Sequence, residues 1–98
     1  MINKKFPLEV ILEKSQEMIY FSQLDLIHLL ERALRRTRLP LYFTQGFSPR
    51  VKISFKSGLK LGLAGRITTI FYFTEDIPFV VLKENLQPQL PQGLVIIK

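Results

Sequence analysis

VKISFKSGLKLGLAGRITTIFYFT, residues 51–74, contains two strand patterns joined by a glycine-rich segment. Its opening VKISFK alternates between apolar and polar side chains, which predicts a half-buried strand with Lys52 and Lys56 on its polar side. The closing RITTIFYFT is rich in β-branched and aromatic residues and predicts a second, more apolar strand. Between them, the glycine-rich segment SGLKLGLAG indicates a wide turn, so we expect the two strands to form a hairpin.

The residues on each side of this hairpin predict one helix and one further strand. Before it, Ser22 is placed as a helix N-cap, and apolar residues at helical spacing predict an amphipathic helix that ends before Pro40. After it, Pro78 precedes a shorter helical spacing. The apolar segments LEVILEK, residues 8–14, and GLVIIK, residues 93–98, predict the first and last strands.

The predicted order of elements is therefore strand, helix, strand, strand, helix, strand. One direct hairpin and two helical crossovers are most economically folded as a split βαβ unit. We expect an α+β, ferredoxin-like sandwich in which two helices cover one face of a four-stranded antiparallel sheet. Residues 8–14 and 67–74, the most apolar strands, would be central. Residues 1–98 are expected to form a single domain, because a chain of 98 residues is enough for one small core.

The composition argues against several kinds of chemistry. The chain has no cysteine, and its single histidine, His28, cannot alone supply the ligands of a typical transition-metal site. We therefore expect no cofactor. No Gly-rich phosphate loop or Ser/His/Asp arrangement is present, which favours a non-catalytic module over an enzyme. A small nuclease that uses His28 as a general base is the weaker alternative.

No apolar run in the sequence approaches the length of a membrane span. We therefore expect a cytoplasmic protein that does not contact a membrane.

Positive charge is concentrated in one part of the chain. The formal net charge is +6, and no Asp or Glu lies between Arg32 and Thr74, a segment that holds most of the lysines and arginines. Such a distribution predicts a positive surface that attracts polyanions such as RNA or tRNA, although a basic surface can also serve solubility alone. The residues predicted to contact nucleic acid are Arg32, Arg35, Arg36, Arg50, Lys52 and Lys56.

The segment TQGFSPRVK, residues 44–52, connects the first helix to the hairpin. Gly46 can adopt a positive φ, Phe47 can anchor the segment in the core, and Pro49 stiffens the approach to the strand. This combination predicts a rigid loop that fixes the direction of Arg50. The alternative is an ordinary connecting loop whose residues suit its backbone shape and have no binding role.

The strand at residues 67–74 is apolar on both of its faces. If Phe71 and Phe73 point away from the helices, the open face of the sheet carries aromatics beside lysines, as RNA-binding sheets do. Alternatively, a dimer mate, another partner or a missing segment covers these aromatics as ordinary core. The second alternative is favoured slightly, so Phe71 and Phe73 are predicted to bind a partner.

The segment YFSQLDLIHLLERALRRTRLPLYFTQGFSPRVKISF, residues 20–55, resembles the signature region of a bacterial domain of unknown function. That domain is associated with radical-SAM proteins and is often fused or adjacent to cobalamin-binding members. Its members usually have Ser-His-Leu-Asp where this chain has SQLD, residues 22–25, so the family histidine is absent here. Members are also typically longer, and this chain resembles their N-terminal half.

The resemblance implies an accessory role beside a radical-SAM protein, in RNA or tRNA modification. It also implies that a complementary half-domain or a second copy completes the site. Any iron–sulfur cluster would belong to the partner, because this chain has no cysteine to hold one. The predicted function is therefore a non-catalytic, RNA-contacting accessory module; the alternative is a protein-interaction or oligomerisation module that uses the apolar open face.

Overall fold

The computed structural model describes residues 4–56 and 65–98. The predicted wide turn of the hairpin, including Lys60, lies outside these residues. The elements follow the predicted order, and each helix is accompanied by a short 3-10 segment, Gln16–Tyr20 before the first and Gln87–Gln89 after the second. The strands and helices are β1 (Phe6–Lys14), α1 (Gln23–Arg35), β2 (Ile53–Phe55), β3 (Gly65–Phe73), α2 (Phe79–Leu86) and β4 (Leu94–Ile96).

The four strands form one antiparallel sheet in the order β2-β3-β1-β4. β1 and β3 pair along their whole length, from Phe6 opposite Phe73 to Lys14 opposite Gly65. The shorter strands β2 and β4 form the edges. The predicted central position of β1 and β3 is confirmed, and the arrangement is that of a ferredoxin-like fold.

Both helices pack on the same face of this sheet. Leucines of α1 and α2 belong to one buried cluster with alternate residues of β1, β3 and β4. The buried cluster includes Val10, Leu12, Leu26, Leu30, Leu34, Ile67, Phe71, Phe73, Leu82, Leu86, Leu94 and Ile96.

Within the described part of the chain, neither helix is long and apolar enough to cross a membrane.

Phe71 and Phe73 lie in this core, each with 0% of its surface exposed. The prediction that they stand on the open face is therefore wrong, and the reason for assigning them to a partner is lost with it. Phe71 lies opposite Leu8 of β1 and Ile53 of β2, which also pack against the core, so the face shared by these residues is the one under the helices. Alternation then places half-buried Tyr72 on the open face.

The N-terminus of α1 is fixed by the predicted cap. The backbone N–H of Asp25 donates to Ser22 Oγ at 3.1 Å, and the N–H of Ser22 donates to Asp25 Oδ2 at 3.0 Å, which completes a capping box. The backbone hydrogen bond from Ser22 lowers the pKa of Asp25. Because the start of the helix is fixed, its period places Leu26 and Leu30 in the core and leaves Arg32 exposed.

Candidate nucleic-acid interface

The segment after α1 forms a closed loop at residues 44–50. Phe43 pairs with Val51 at its base. The N–H of Thr44 donates to the carbonyl of Arg50 at 2.7 Å, and the N–H of Arg50 donates to Thr44 Oγ1 at 3.0 Å. Near its tip, Gly46 has a φ of 130°, a conformation that a side chain would strain. The loop is therefore held at its base by hydrogen bonds.

Phe47 does not anchor this loop. The sequence predicted that its ring packs into the core, but the side chain is fully exposed, at 107% of the reference surface. The prediction fails because hydrogen bonds between Thr44 and Arg50 already close the loop, so that its tip projects into solvent. The 44–50 loop thus presents an aromatic ring as well as a cation.

Glu31 of α1 positions Arg50. The carboxylate is buried and accepts hydrogen bonds from Arg50 Nη2 at 2.6 Å and Arg50 Nε at 3.4 Å. It also accepts from the backbone N–H of Val51 at 3.4 Å and from Arg35 Nη2 at 3.5 Å. The hydrogen bond from Arg50 lowers the pKa of Glu31, although burial opposes this effect, and Glu31 in turn raises the pKa of Arg50. The carboxylate thereby connects α1 to the end of the loop.

Sequence reasoning missed Glu31, although one signal was available. Glu31 lies four residues after Ile27 and three before Leu34, so helical spacing places it beside the apolar face of α1. A carboxylate in such a position needs a partner when it is buried. The acid-free, basic stretch that follows it supplies the partner, Arg50.

Arg32, Arg35 and Arg50 meet in one shallow cleft of about 360 Å³. We call it the arginine cleft; its lining residues are His28, Glu31, Arg32, Arg35, Pro49 and Arg50. Three guanidinium groups and one carboxylate give it a formal charge of +2 when His28 is neutral. The guanidinium of Arg35 also lies 5.2 Å from the ring centroid of Phe43, which orients it over an aromatic face.

Arg36 lies beside this cleft. It lines a second depression, of about 280 Å³, together with Arg32, Leu90 and Pro91. Since Arg32 borders both depressions, positive charge continues from one to the other. Four of the six predicted residues, Arg32, Arg35, Arg36 and Arg50, therefore lie on one side of the molecule, which we call the basic face.

Lys52 and Lys56 do not join the basic face. They alternate with Ile53 and Phe55, whose side chains pack against the core, so both lysines belong to the open face of the sheet. Lys56 Nζ lies 3.2 Å from a carboxylate oxygen of Glu9. Lys52 Nζ lies 5.1 Å from the ring centroid of Tyr72. The expectation that all six residues form a single surface is therefore wrong, whereas nucleic-acid contact by Lys52 and Lys56 stays a prediction.

The described residues contain no group of three or more His, Asp or Glu side chains arranged to hold a metal ion. Lys14 is buried at the end of β1, where its Nζ donates to the carbonyl of Phe21 at 3.3 Å, and burial lowers its pKa. This contact joins β1 to the segment before α1. It lies apart from the arginine cleft, whose lining does not include Lys14.

Fold and surface together define an α+β domain of ferredoxin-like architecture with an arginine-lined cleft beside its first helix. A family model matches residues 8–98, which is nearly the whole chain. The chain belongs to this family, described as "Uncharacterized protein conserved in bacteria (DUF2344)". The resemblance to a bacterial domain of unknown function is thereby confirmed. No curated protein and no solved structure matches the chain.

Proposed function

We propose that this domain is a non-catalytic accessory module that contacts RNA, such as tRNA, through the basic face. The observation that carries the proposal is the convergence of Arg32, Arg35 and Arg50 on a cleft that holds one carboxylate. These arginines come from two separate elements, α1 and the 44–50 loop, and Glu31 fixes the direction of the loop arginine.

The arrangement suits phosphate for two reasons. A guanidinium group can present two parallel N–H donors to phosphate oxygens, which gives both charge and direction. In addition, neither Arg32 nor Arg36 forms an ion pair with any residue in 4–56 and 65–98, so their charges remain available to a ligand. Neutralising phosphates with such cations releases counterions and makes binding dependent on salt.

The proposal includes a radical-SAM partner, supported by the resemblance of residues 20–55 to the signature region of the radical-SAM-associated domain. The chain has no cysteine, so an iron–sulfur cluster and its radical chemistry would be supplied by that partner. In this arrangement the domain would hold the RNA and the partner would modify it.

The alternative, a protein-interaction or oligomerisation module that uses the open face, has weaker support. The two phenylalanines on which it depended are in the core. The open face instead carries ion pairs, Lys56 with Glu9 at 3.2 Å and Arg66 with Glu13 at 3.7 Å, next to half-buried Tyr72.

The experiment is titration of the domain with tRNA over a series of salt concentrations. Wild-type affinity should fall steeply with salt, and Arg32→Ala should lower the salt-dependence slope by about 0.7 to 0.9, the value for one phosphate contact. Arg32 is the best probe because its replacement breaks no ion pair among the described residues. Lys83→Ala is the matched control, since it also removes one positive charge, but from an exposed position on α2. Salt-independent binding, absence of binding, or equal effects of the two variants would contradict the proposal.

A further inference from the structure

Phe47 has a position that the phosphate contact leaves unexplained. A single exposed apolar side chain on a protein surface is ordinary. Phe47, however, sits at the tip of a loop whose base is fixed by the Thr44–Arg50 hydrogen bonds and whose C-terminal end, Pro49 and Arg50, lines the arginine cleft. The exposed aromatic side chain therefore belongs to the same loop as Arg50, three residues before it.

The backbone of Phe47 lies close to that of Arg50, a residue of the arginine cleft. Consecutive Cα atoms are 3.8 Å apart, so the Cα atoms of Phe47 and Arg50 can be separated by at most ~11 Å. Neighbouring nucleotides of one strand can span such a distance with a base at one end and a phosphate at the other. The two groups can thus bind different parts of the same strand.

We propose that Phe47 stacks on an unpaired base of a single-stranded RNA segment whose phosphates contact the arginine cleft. This inference rests on the proposed RNA contact and makes it specific for single strands. Aromatic side chains next to cations are the combination by which proteins bind single strands, because every base offers a π-face and every nucleotide a phosphate. In a duplex, the bases are already stacked on one another and cannot reach the ring.

The surroundings of Phe47 favour a base over an apolar pocket of a partner protein. Its exposed neighbours in the loop are polar, Gln45 and Ser48, and the adjoining cleft is positively charged. The core of a protein–protein contact is, by contrast, depleted in charge and apolar around its anchor. A strand of nucleotides matches both the ring and the charges.

The test uses the absence of tryptophan from the chain. In the Phe47→Trp variant, tryptophan fluorescence would come from this position alone, and the exposed indole would still offer a face for stacking. A single-stranded oligoribonucleotide of about ten nucleotides, within the usual site sizes, should quench this emission. A blunt-ended, fully paired RNA duplex should leave it nearly unchanged, because its bases are already stacked on one another.

Binding measurements separate stacking from simple apolar contact. Phe47→Ala should weaken binding of the single strand by roughly 5- to 150-fold, the range for loss of one stacked base, and leave binding of the duplex unchanged. Phe47→Leu, which keeps an apolar side chain but no π-face, should behave like Phe47→Ala. Thermal melting serves as the fold control, and because Phe47 is exposed it should be the same in all variants.

Two results would overturn the inference: emission of Phe47→Trp that the single strand leaves unchanged, or single-strand binding by Phe47→Leu equal to that of wild type. If RNA binding that depends on Arg32 persists in either case, the proposed function survives and only the stacking role is lost. If the wild type binds neither the single strand nor the duplex, the proposed RNA contact fails and the inference fails with it.

Discussion

On the helix side of the sheet, three arginines line one cleft with the carboxylate of Glu31, whereas on the open side Lys56 and Arg66 each pair with a carboxylate of their own. The two sides thus use the same residue types in different ratios. The helix side keeps a net positive charge beside the 44–50 loop. On the open face, each of these two ion pairs is neutral. The number of cations in a segment therefore says less about ligand binding than the number of carboxylates that fold against them.

The largest expected effect is the loss of unfolding free energy when an aromatic ring is removed from the helix side of β3 rather than from its open face. Phe71→Ala removes a completely buried ring beneath the helices and should cost about 3–5 kcal/mol of unfolding free energy. Tyr72→Ala, at the next position but on the open face, should cost less than half as much, because its ring is only partly buried. Urea unfolding followed by circular dichroism measures both. Equal losses would show that a partner or a second layer covers the open face in solution.

An intermediate effect is expected when the shared carboxylate is removed. Glu31→Ala leaves the buried N–H of Val51 without its acceptor, a loss of about 1 kcal/mol, which corresponds to a decrease of about 4–8 °C in Tm for a domain of this size. Glu9→Ala is the control on the open side, where the pair with Lys56 is exposed; such pairs often contribute nothing measurable and at most about 1 kcal/mol. Differential scanning calorimetry compares the two variants. A Tm for Glu31→Ala no lower than that for Glu9→Ala would mean that Glu31 does not hold the loop.

The smallest effect is expected in the response to acid. Because the folded-state pKa of Glu31 is below its ordinary value of 4.5, the folded state binds fewer protons than the unfolded state in the range just below pH 4.5. The stabilisation is thus fully present above pH 4.5 and is lost as the pH falls through the lower, folded-state value. Glu31→Gln should accordingly make Tm less dependent on pH below 4.5 than in the wild type. Asp25, whose pKa is also lowered, remains in both proteins, so the difference between them reports Glu31. Parallel Tm profiles would contradict the assignment.

The sequence was sufficient for the order of elements and for the start of α1, because alternation, helical period and the Ser22 cap are local signals. It could not orient β3, since Thr68, Ile70 and Tyr72 are nearly as suited to a core as the phenylalanines between them. Only the register with β1 decides which set faces the helices.

The candidate site shows the same division between local and long-range information. The position of Glu31 beside the apolar face could be read from helical spacing, but its partner Arg50, 19 residues later, depends on how the loop folds back. The separation of Lys52 and Lys56 from the arginines, in contrast, was predictable. Alternation already placed the lysines opposite the apolar side of β2, and the sandwich puts the helices on that apolar side.

The ion pair between Glu31 and Arg50 bears on the association rate of the proposed RNA contact. In the free protein an internal carboxylate already holds the guanidinium, much as an incoming anion would, so the donor is oriented before any encounter takes place. In the proposed RNA contact, the ligand would then have no loop to order on arrival, and association could proceed at a rate set by diffusion and long-range attraction. Glu31 therefore orients the guanidinium of Arg50 in advance for the anion that would bind it in the proposed contact.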